Sequence, residues 1–232
     1  MMIEATRRAV LAAIAASLAM PAFADHPGEN LDKVLLKQEK YFQTIDNPAA
    51  PKFRLADAEG NLARLSDFAD KVVVLNFVYA SCPDICPLHA EKIASIQQKV
   101  NSSAMKTMVQ FISITTDPLN DTAEVLSDYG KTHGLDNSNW MILTKTADQP
   151  VDATRQLAKL YGVEFTMSAD SDMQMHGAVT HVIDRGGRFA AKFHGLRFSD
   201  VNAVLYVNGL TNRLRSPEAD RGWLDRISDL FK

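Results

Sequence analysis

The sequence predicts an α/β sandwich, and three observations predict it. Near-continuous apolar runs over residues 72–79 and 108–115 have the composition of strands buried on both faces of a sheet. Amphipathic stretches with helix start and stop residues alternate with these runs. Two short β-patterned runs around Arg185-Gly186-Gly187, then one more helical stretch, close the pattern. The chain has 232 residues and a net charge of −3, long enough for one ample core.

The N-terminus reads as a secretion signal. Arg7 and Arg8 precede an apolar stretch over residues 9–19, and Ala22 and Ala24 supply a small-x-small cleavage pattern. That stretch is shorter than the about 20 residues of a membrane span. Cleavage after Ala24 leaves a chain that begins at Asp25, with an uncleaved N-terminal anchor as the alternative. Thr6-Arg7-Arg8 is a short match to twin-arginine export signals.

Residues 25–30 form a polar leader, and Leu31, Val34 and Leu35 open a helical pattern running to about Phe42. Asp46-Asn47-Pro48 ends it. Residues 53–65 alternate about Glu59-Gly60-Asn61, as a β-hairpin does. The apolar run 72–79 is the first strand of the main sheet. Residues 87–100 follow as a helix with Ile93 and Ile96 inward, and 108–115 is the second buried strand. Residues 121–133 form a helix that Asp121 can cap, with Glu124 three residues on as in a capping box. Residues 140–143 are a third strand, and 150–161 a helix stopped by Gly162. Residues 167–177 read as a loop. Residues 178–184 and 189–194 form a hairpin, and 199–210 the last helix of the body. This order is that of a thioredoxin-like sandwich with an added N-terminal hairpin.

Beyond it, Ser216-Pro217-Glu218 has the cap and first-turn residues of a helix start. Trp223, Leu224, Ile227, Leu230 and Phe231 then fall on one face. This C-terminal helical tail docks onto the body or, alternatively, contacts a partner or a membrane surface. The organisation is therefore a signal (1–24), a leader and helix (25–46), a thioredoxin-like domain (47–210) and an amphipathic tail (211–232). A pI near 6.1 and the lack of a basic patch argue against nucleic acid as a partner.

The two cysteines of the chain, Cys82 and Cys86, stand four positions apart in Phe77-Val78-Tyr79-Ala80-Ser81-Cys82-Pro83-Asp84-Ile85-Cys86-Pro87. There a buried strand meets a helix start, whose amides favour a thiolate. Export places the pair in an oxidising compartment. A disulfide closing so small a loop contributes only about 2 kcal/mol, so a purely structural bridge explains little. Thiol–disulfide exchange and soft-metal binding both remain open. Exchange enzymes of this fold carry two residues between their cysteines, whereas three stand here. They also place a cis-proline before the third main strand, and Met175-His176-Gly177-Ala178-Val179 has no proline. It has His176 instead. Two sulfurs and an imidazole nitrogen suit copper in either oxidation state, whereas zinc normally takes a fourth ligand.

Other residues carry two readings each. Met167, Met173 and Met175 are packing residues or soft thioether ligands. His89, three residues after Cys86, is a solvated helix residue or an auxiliary ligand. His181 and His194 on the hairpin are packing or surface residues before they are ligands. Asp84 is a turn residue or tunes the thiols, and Asp117 is a strand-end cap or a buried acid behind the site.

The segment Phe77 to Pro87 resembles the copper-site motif of the Sco/SenC family, Phe-x-Tyr-Thr-x-Cys-Pro-Asp-x-Cys-Pro, with Ala80 where Thr is usual. Ser113-Ile114-Thr115-Thr116-Asp117-Pro118 followed by Asp121-Thr122 is similar to the family's Ser-x-Asp-Pro-x-x-Asp-Thr segment. His176, ahead of residues 179–184 and Gly187-Arg188-Phe189, aligns with its ligand histidine. The resemblance covers about residues 48–210. It implies a periplasmic copper chaperone holding one copper, Cu(I) or Cu(II), through Cys82, Cys86 and His176. The implied partner is the copper A subunit of cytochrome c oxidase or another apo copper protein, to which copper is delivered or whose thiols are prepared. The alternative is a periplasmic thiol–disulfide reductase with Cys82 and Cys86 as its redox pair. Two positions depart from the family pattern. Met175-His176-Gly177 replaces Asp-His-Ser or Asp-His-Thr, removing an acid that could accept from the other ring nitrogen. Asn120 replaces a frequent Arg. The dinuclear centre's own Cys-x-x-x-Cys pattern fails, because Ala90 and Ile93 stand where its His and Met would be.

Overall fold

A computed structural model describes residues 30–46, 49–167 and 173–212. The secretion-signal pattern and the tail pattern from Ser216 onward lie outside the described residues. Helix α1 (Leu31–Gln38) buries Leu35 and ends before Phe42, which opens strand β1 (Phe42–Thr44). The helical pattern was expected to reach Phe42. The strand wins there because the Phe42 ring packs on Phe193 and Tyr206, with centroids 5.1 and 4.8 Å away. Glu39, between the two elements, accepts the Ser199 N–H at 2.9 Å and the Asn202 side chain at 2.9 Å.

Strands β2 (Arg54–Ala56) and β3 (Leu62–Arg64) form the expected hairpin, turning at Gly60 with φ of +86°. A short 3-10 turn (Leu65–Phe68) returns the chain to the sheet. Strand β4 (Val72–Val78), helix α2 (Ile85–Asn101) and strand β5 (Val109–Thr115) make a parallel crossover unit, and every residue of both strands is buried. Helix α3 (Ala123–Thr132) and strand β6 (Trp140–Leu143) make a second, with β6 parallel to β5. Thr122, not Asp121, caps α3: its hydroxyl accepts the Val125 N–H at 3.4 Å. Asp121 turns inward instead, toward donors described below.

Helix α4 (Ala153–Leu160) ends where Gly162 takes φ of +78°. Strands β7 (Glu164–Met167) and β8 (Met173–His176) then pair antiparallel, with Glu164 opposite His176. Residues 167 and 173–176, expected as part of a loop, belong to this hairpin instead, because their backbone groups find partners across the pair. Strands β9 (Val179–Asp184) and β10 (Arg188–His194) form the expected hairpin, and helix α5 (Asp200–Asn212) closes the body.

The main sheet runs β1-β10-β9-β4-β5-β6. Residues of β4 alternate between two cores. Val72, Val74 and Val78 join Ile93 and Ile96 of α2 and Tyr206 and Leu210 of α5, while Val73, Leu75 and Phe77 join Leu157 of α4, Tyr161 and Leu55 of β2. The result is a thioredoxin-like sandwich with the extra N-terminal hairpin. Its directions decide where function sits. The parallel strands β4 and β5 both end at one edge of the sheet. Strand β9 runs antiparallel to β4, with Leu75 opposite His181, so its beginning lies at that same edge.

Candidate metal centre

The thiol loop grows from the end of β4. Thr116 N–H donates to Val78 O at 2.8 Å, and Cys82 N–H to Tyr79 O at 3.2 Å, which turns the chain into α2. Asp84 occupies the N-cap position of α2, is exposed, and makes no side-chain cap bond. The first amides of the helix are thus left for other acceptors. Cys86 N–H takes one, donating to Cys82 Sγ at 3.3 Å. Both cysteines are free thiols and both are buried, 5% and 2% exposed.

The two sulfurs are electrostatically unequal. Burial pushes the Cys82 thiol up, but the Cys86 thiol, the Asp84 N–H, the Tyr79 hydroxyl and the Cys86 N–H all donate to it, and its pKa lies below the ordinary thiol value. Burial also pushes Cys86 up, and so does its bond to Cys82. The Tyr79 N–H offsets only part of this, while the charges of Cys82 and Asp121 add to it. Cys82 is therefore the readier thiolate, at the mouth of α2 where the helix dipole favours negative charge.

Asp121 holds the loop from behind. Nearly fully buried, it accepts the Ala80 N–H and the Thr115 hydroxyl. Burial raises its pKa, against which Thr115 and Ala80 act. The sequence offers Asp121 as a cap and gives Tyr79 and Thr115 no role of their own, although Tyr79 stands in the cysteine motif and Thr115 and Asp121 in the second family-like segment. Asp117 accepts from Asn120 at 2.8 Å and sits 3.7 Å from Arg155, a strand-end ion pair.

The described imidazoles near the sheet are committed within the fold. His89 is 1% exposed, not solvated, with Nε2 2.9 Å from Thr180 Oγ1, and burial lowers its pKa to about 4. His181 is a packing residue: its ring nitrogens lie 3.2 Å from Leu75 O and 3.2 Å from Tyr161 O, and Phe77 and Tyr161 meet its ring edge-on. His194 sits 2.8 Å from Gln43 Oε1 across the strand pair. Among the described residues, no three His, Cys, Asp or Glu side chains gather to hold a metal. The backbone carries His176 on β8, three residues before β9 enters the sheet beside β4, at the edge where the thiol loop leaves. The side chains of His176, Met167, Met173 and Met175 lie outside the described residues.

A family model described as SCO1/SenC matches residues 43–204. The chain belongs to the SCO1/SenC family. It is 30% identical over 146 residues to a SCO2-like protein of Rickettsia prowazekii, covering 61% of this chain and 67% of that relative. Among solved structures it resembles a SCO1/SenC family lipoprotein from Bacillus anthracis at TM-score 0.63 and 21% identity, covering 72% of this chain and 97% of that one. It also resembles BsSco, described as a member of the Sco family of cytochrome c oxidase assembly proteins and as having a disulfide switch, at TM-score 0.61 and 19% identity, covering 72% and 95% of the two chains. Yeast Sco1 with copper bound matches at TM-score 0.59 and 22% identity, covering 74% and 93%.

Proposed function

We propose that this SCO1/SenC chain is a periplasmic copper chaperone. It holds one copper through Cys82, Cys86 and His176 and delivers it to, or prepares the thiols of, the copper A centre of cytochrome c oxidase. The observation that carries this reading is the pair of free, buried thiols at one helix start, with donors converging on the first. Thiolates are soft ligands that select Cu(I), and an imidazole extends the set to Cu(II). The copper bound by yeast Sco1 and the assembly role given to BsSco support the same reading. The secretion-signal pattern supports the compartment. No described helix is long and apolar enough to cross a membrane. Copper loading displaces thiol protons, so affinity rises with pH.

The test is an anaerobic copper titration of the reduced chain, followed by incubation with an apo copper A domain. One copper per chain binds and then moves to the acceptor. Cys82→Ser, Cys86→Ser and His176→Ala each lose the Cu(II) complex. Wild-type Cu(II) binding by His176→Ala overturns the ligand set, and copper that never reaches the acceptor overturns the delivery role.

The inequality of the two thiols favours a second reading, thiol–disulfide exchange. The Cys82 thiolate attacks a sulfur of the partner's disulfide, and the other partner sulfur leaves as a thiolate. Cys86 then attacks Cys82 of the mixed disulfide, freeing the reduced partner and leaving a Cys82–Cys86 disulfide for an external dithiol to reduce. Exchange retained by His176→Ala and abolished by Cys82→Ser distinguishes this activity from copper carriage.

A further inference from the structure

Strand β9 parts from β4 before either reaches the thiol edge. Their ladder runs Val73↔Ile183, Val74↔Val182 and Leu75↔His181 and stops there, although β4 continues to Val78 beside β5. The first two residues of β9 pair with β10 alone, Val179 with His194 and Thr180 with Phe193. The segment that carries His176 therefore enters the sheet on the β10 side of a split, and the thiol loop leaves from the β4 side. The main-chain ladder does not set the spacing between them.

A side-chain bond ties the two sides together. His89 Nε2 lies 2.9 Å from Thr180 Oγ1, and both residues are 1% exposed. Among the described residues no other side-chain hydrogen bond joins α2 to β9. His89 stands three residues after Cys86, on the same buried face of α2, and Thr180 four residues after His176. Burial alone does not call for polar side chains here, since a leucine and a valine would fill the space with no polar atoms to satisfy. What the hydrogen bond adds is a fixed separation, because it forms only over a narrow range of distance and angle.

We infer that His89 and Thr180 are positioning residues whose bond sets the distance between the Cys82–Cys86 pair and the backbone that presents His176. Ligands on separately anchored segments bind a metal tightly only when the groups around them hold the preferred geometry. The inference rests on the copper reading above. The two oxidation states separate its effect: two thiolates suffice for Cu(I), whereas Cu(II) draws on the imidazole.

The double variant His89→Leu/Thr180→Val removes the bond and leaves neither partner buried without the other, so the copper-free chain melts close to wild type. Its Cu(II) affinity falls about 10-fold, and the nitrogen coupling in the Cu(II) electron paramagnetic resonance spectrum weakens. Cu(I) affinity, read by competition with a bicinchoninate chelator, stays within about two-fold of wild type. Thr180→Ser, which keeps the hydroxyl, binds both oxidation states as wild type does. Where the double variant does not fold, Thr180→Val carries the same comparison. Unchanged Cu(II) affinity and coupling overturn the positioning role. So does an equal loss for Cu(I) and Cu(II), which a purely structural pair would give, and so does a loss in Thr180→Ser as large as that in the double variant. A wild-type chain that binds no copper overturns the copper reading itself.

Discussion

Asp121 accepts the backbone N–H of Ala80 with both carboxylate oxygens, at 3.2 and 3.1 Å. The bond joins two loops that leave the same edge of the sheet, and Ala80 stands two residues before Cys82. The first sulfur is thus located by an acid on a different segment of the chain.

Asp121→Ala leaves the Ala80 amide and the Thr115 hydroxyl without this partner. The loss of a buried charged acceptor costs about 1–3 kcal/mol. The urea midpoint of the reduced chain falls accordingly, and copper affinity falls with the loosened loop. Asp121→Asn, which keeps one oxygen acceptor, loses less of both. A midpoint unchanged in Asp121→Ala would show that the loop is held by other contacts.

The inequality of the thiols predicts their reactivity. With a limiting amount of a small alkylating agent near neutral pH, Cys82 is labelled about ten-fold faster than Cys86, in keeping with its greater thiolate character. Peptide mapping by mass spectrometry reads the ratio, and faster labelling of Cys86 reverses the assignment. The sign of the linkage follows. The depressed Cys82 value stabilises the fold above the unfolded thiol pKa, and that contribution is lost as pH falls through the folded value.

His89 and His181 bring acid sensitivity. Burial holds the first at about 4 and the second, with Lys192 adding to the effect, at about 3. Both stay neutral in the fold, whereas the unfolded chain protonates them below about 6.5. Stability therefore declines as pH drops from about 6.5 toward 4, with a slope of up to about 1.4 kcal/mol per pH unit for each ring. Urea titrations across that window measure it, and His89→Gln makes the slope shallower. A flat profile in wild type would mean that the folded chain accepts these protons.

Gly130 is a packing constraint on α3. A Cβ added there would stand 2.4 Å from Cζ3 of Trp140, whose indole N–H donates to Ser113 at 3.1 Å. Trp140 is buried and anchored, so it has little room to yield. Gly130→Ala costs about 1–3 kcal/mol by overpacking. Calorimetry of the copper-free chain shows a lower melting temperature; an unchanged one would mean that Trp140 moves aside freely.

How much of this was legible depended on how local the cause was. Strands β4 and β5 declare themselves, because a strand covered on both faces needs an apolar residue at every position. Phe42-Gln43-Thr44 has no periodicity of its own and becomes a strand only because Phe193 lies opposite it. The β7–β8 hairpin was hidden for the same reason, since each of its strands is too short to show a period. At the site, Cys82 and Cys86 are plain in the sequence. Their inequality is not, because it depends on which amides and hydroxyls converge on each sulfur. Asp121 satisfies the local rule for a cap, and its burial between Ala80 and Thr115 decides against that role. His89 was recoverable: it is four residues from the inward-facing Ile93, on the same face of α2, so an inner position was written in the spacing.

The first strand of the sheet, β1, bonds to the last, β10. A chain synthesised or threaded from its N-terminus presents Phe42 long before Phe193 exists to receive it. That seam stays open until the final third of the polypeptide arrives, and such distant pairing slows the search for the native state.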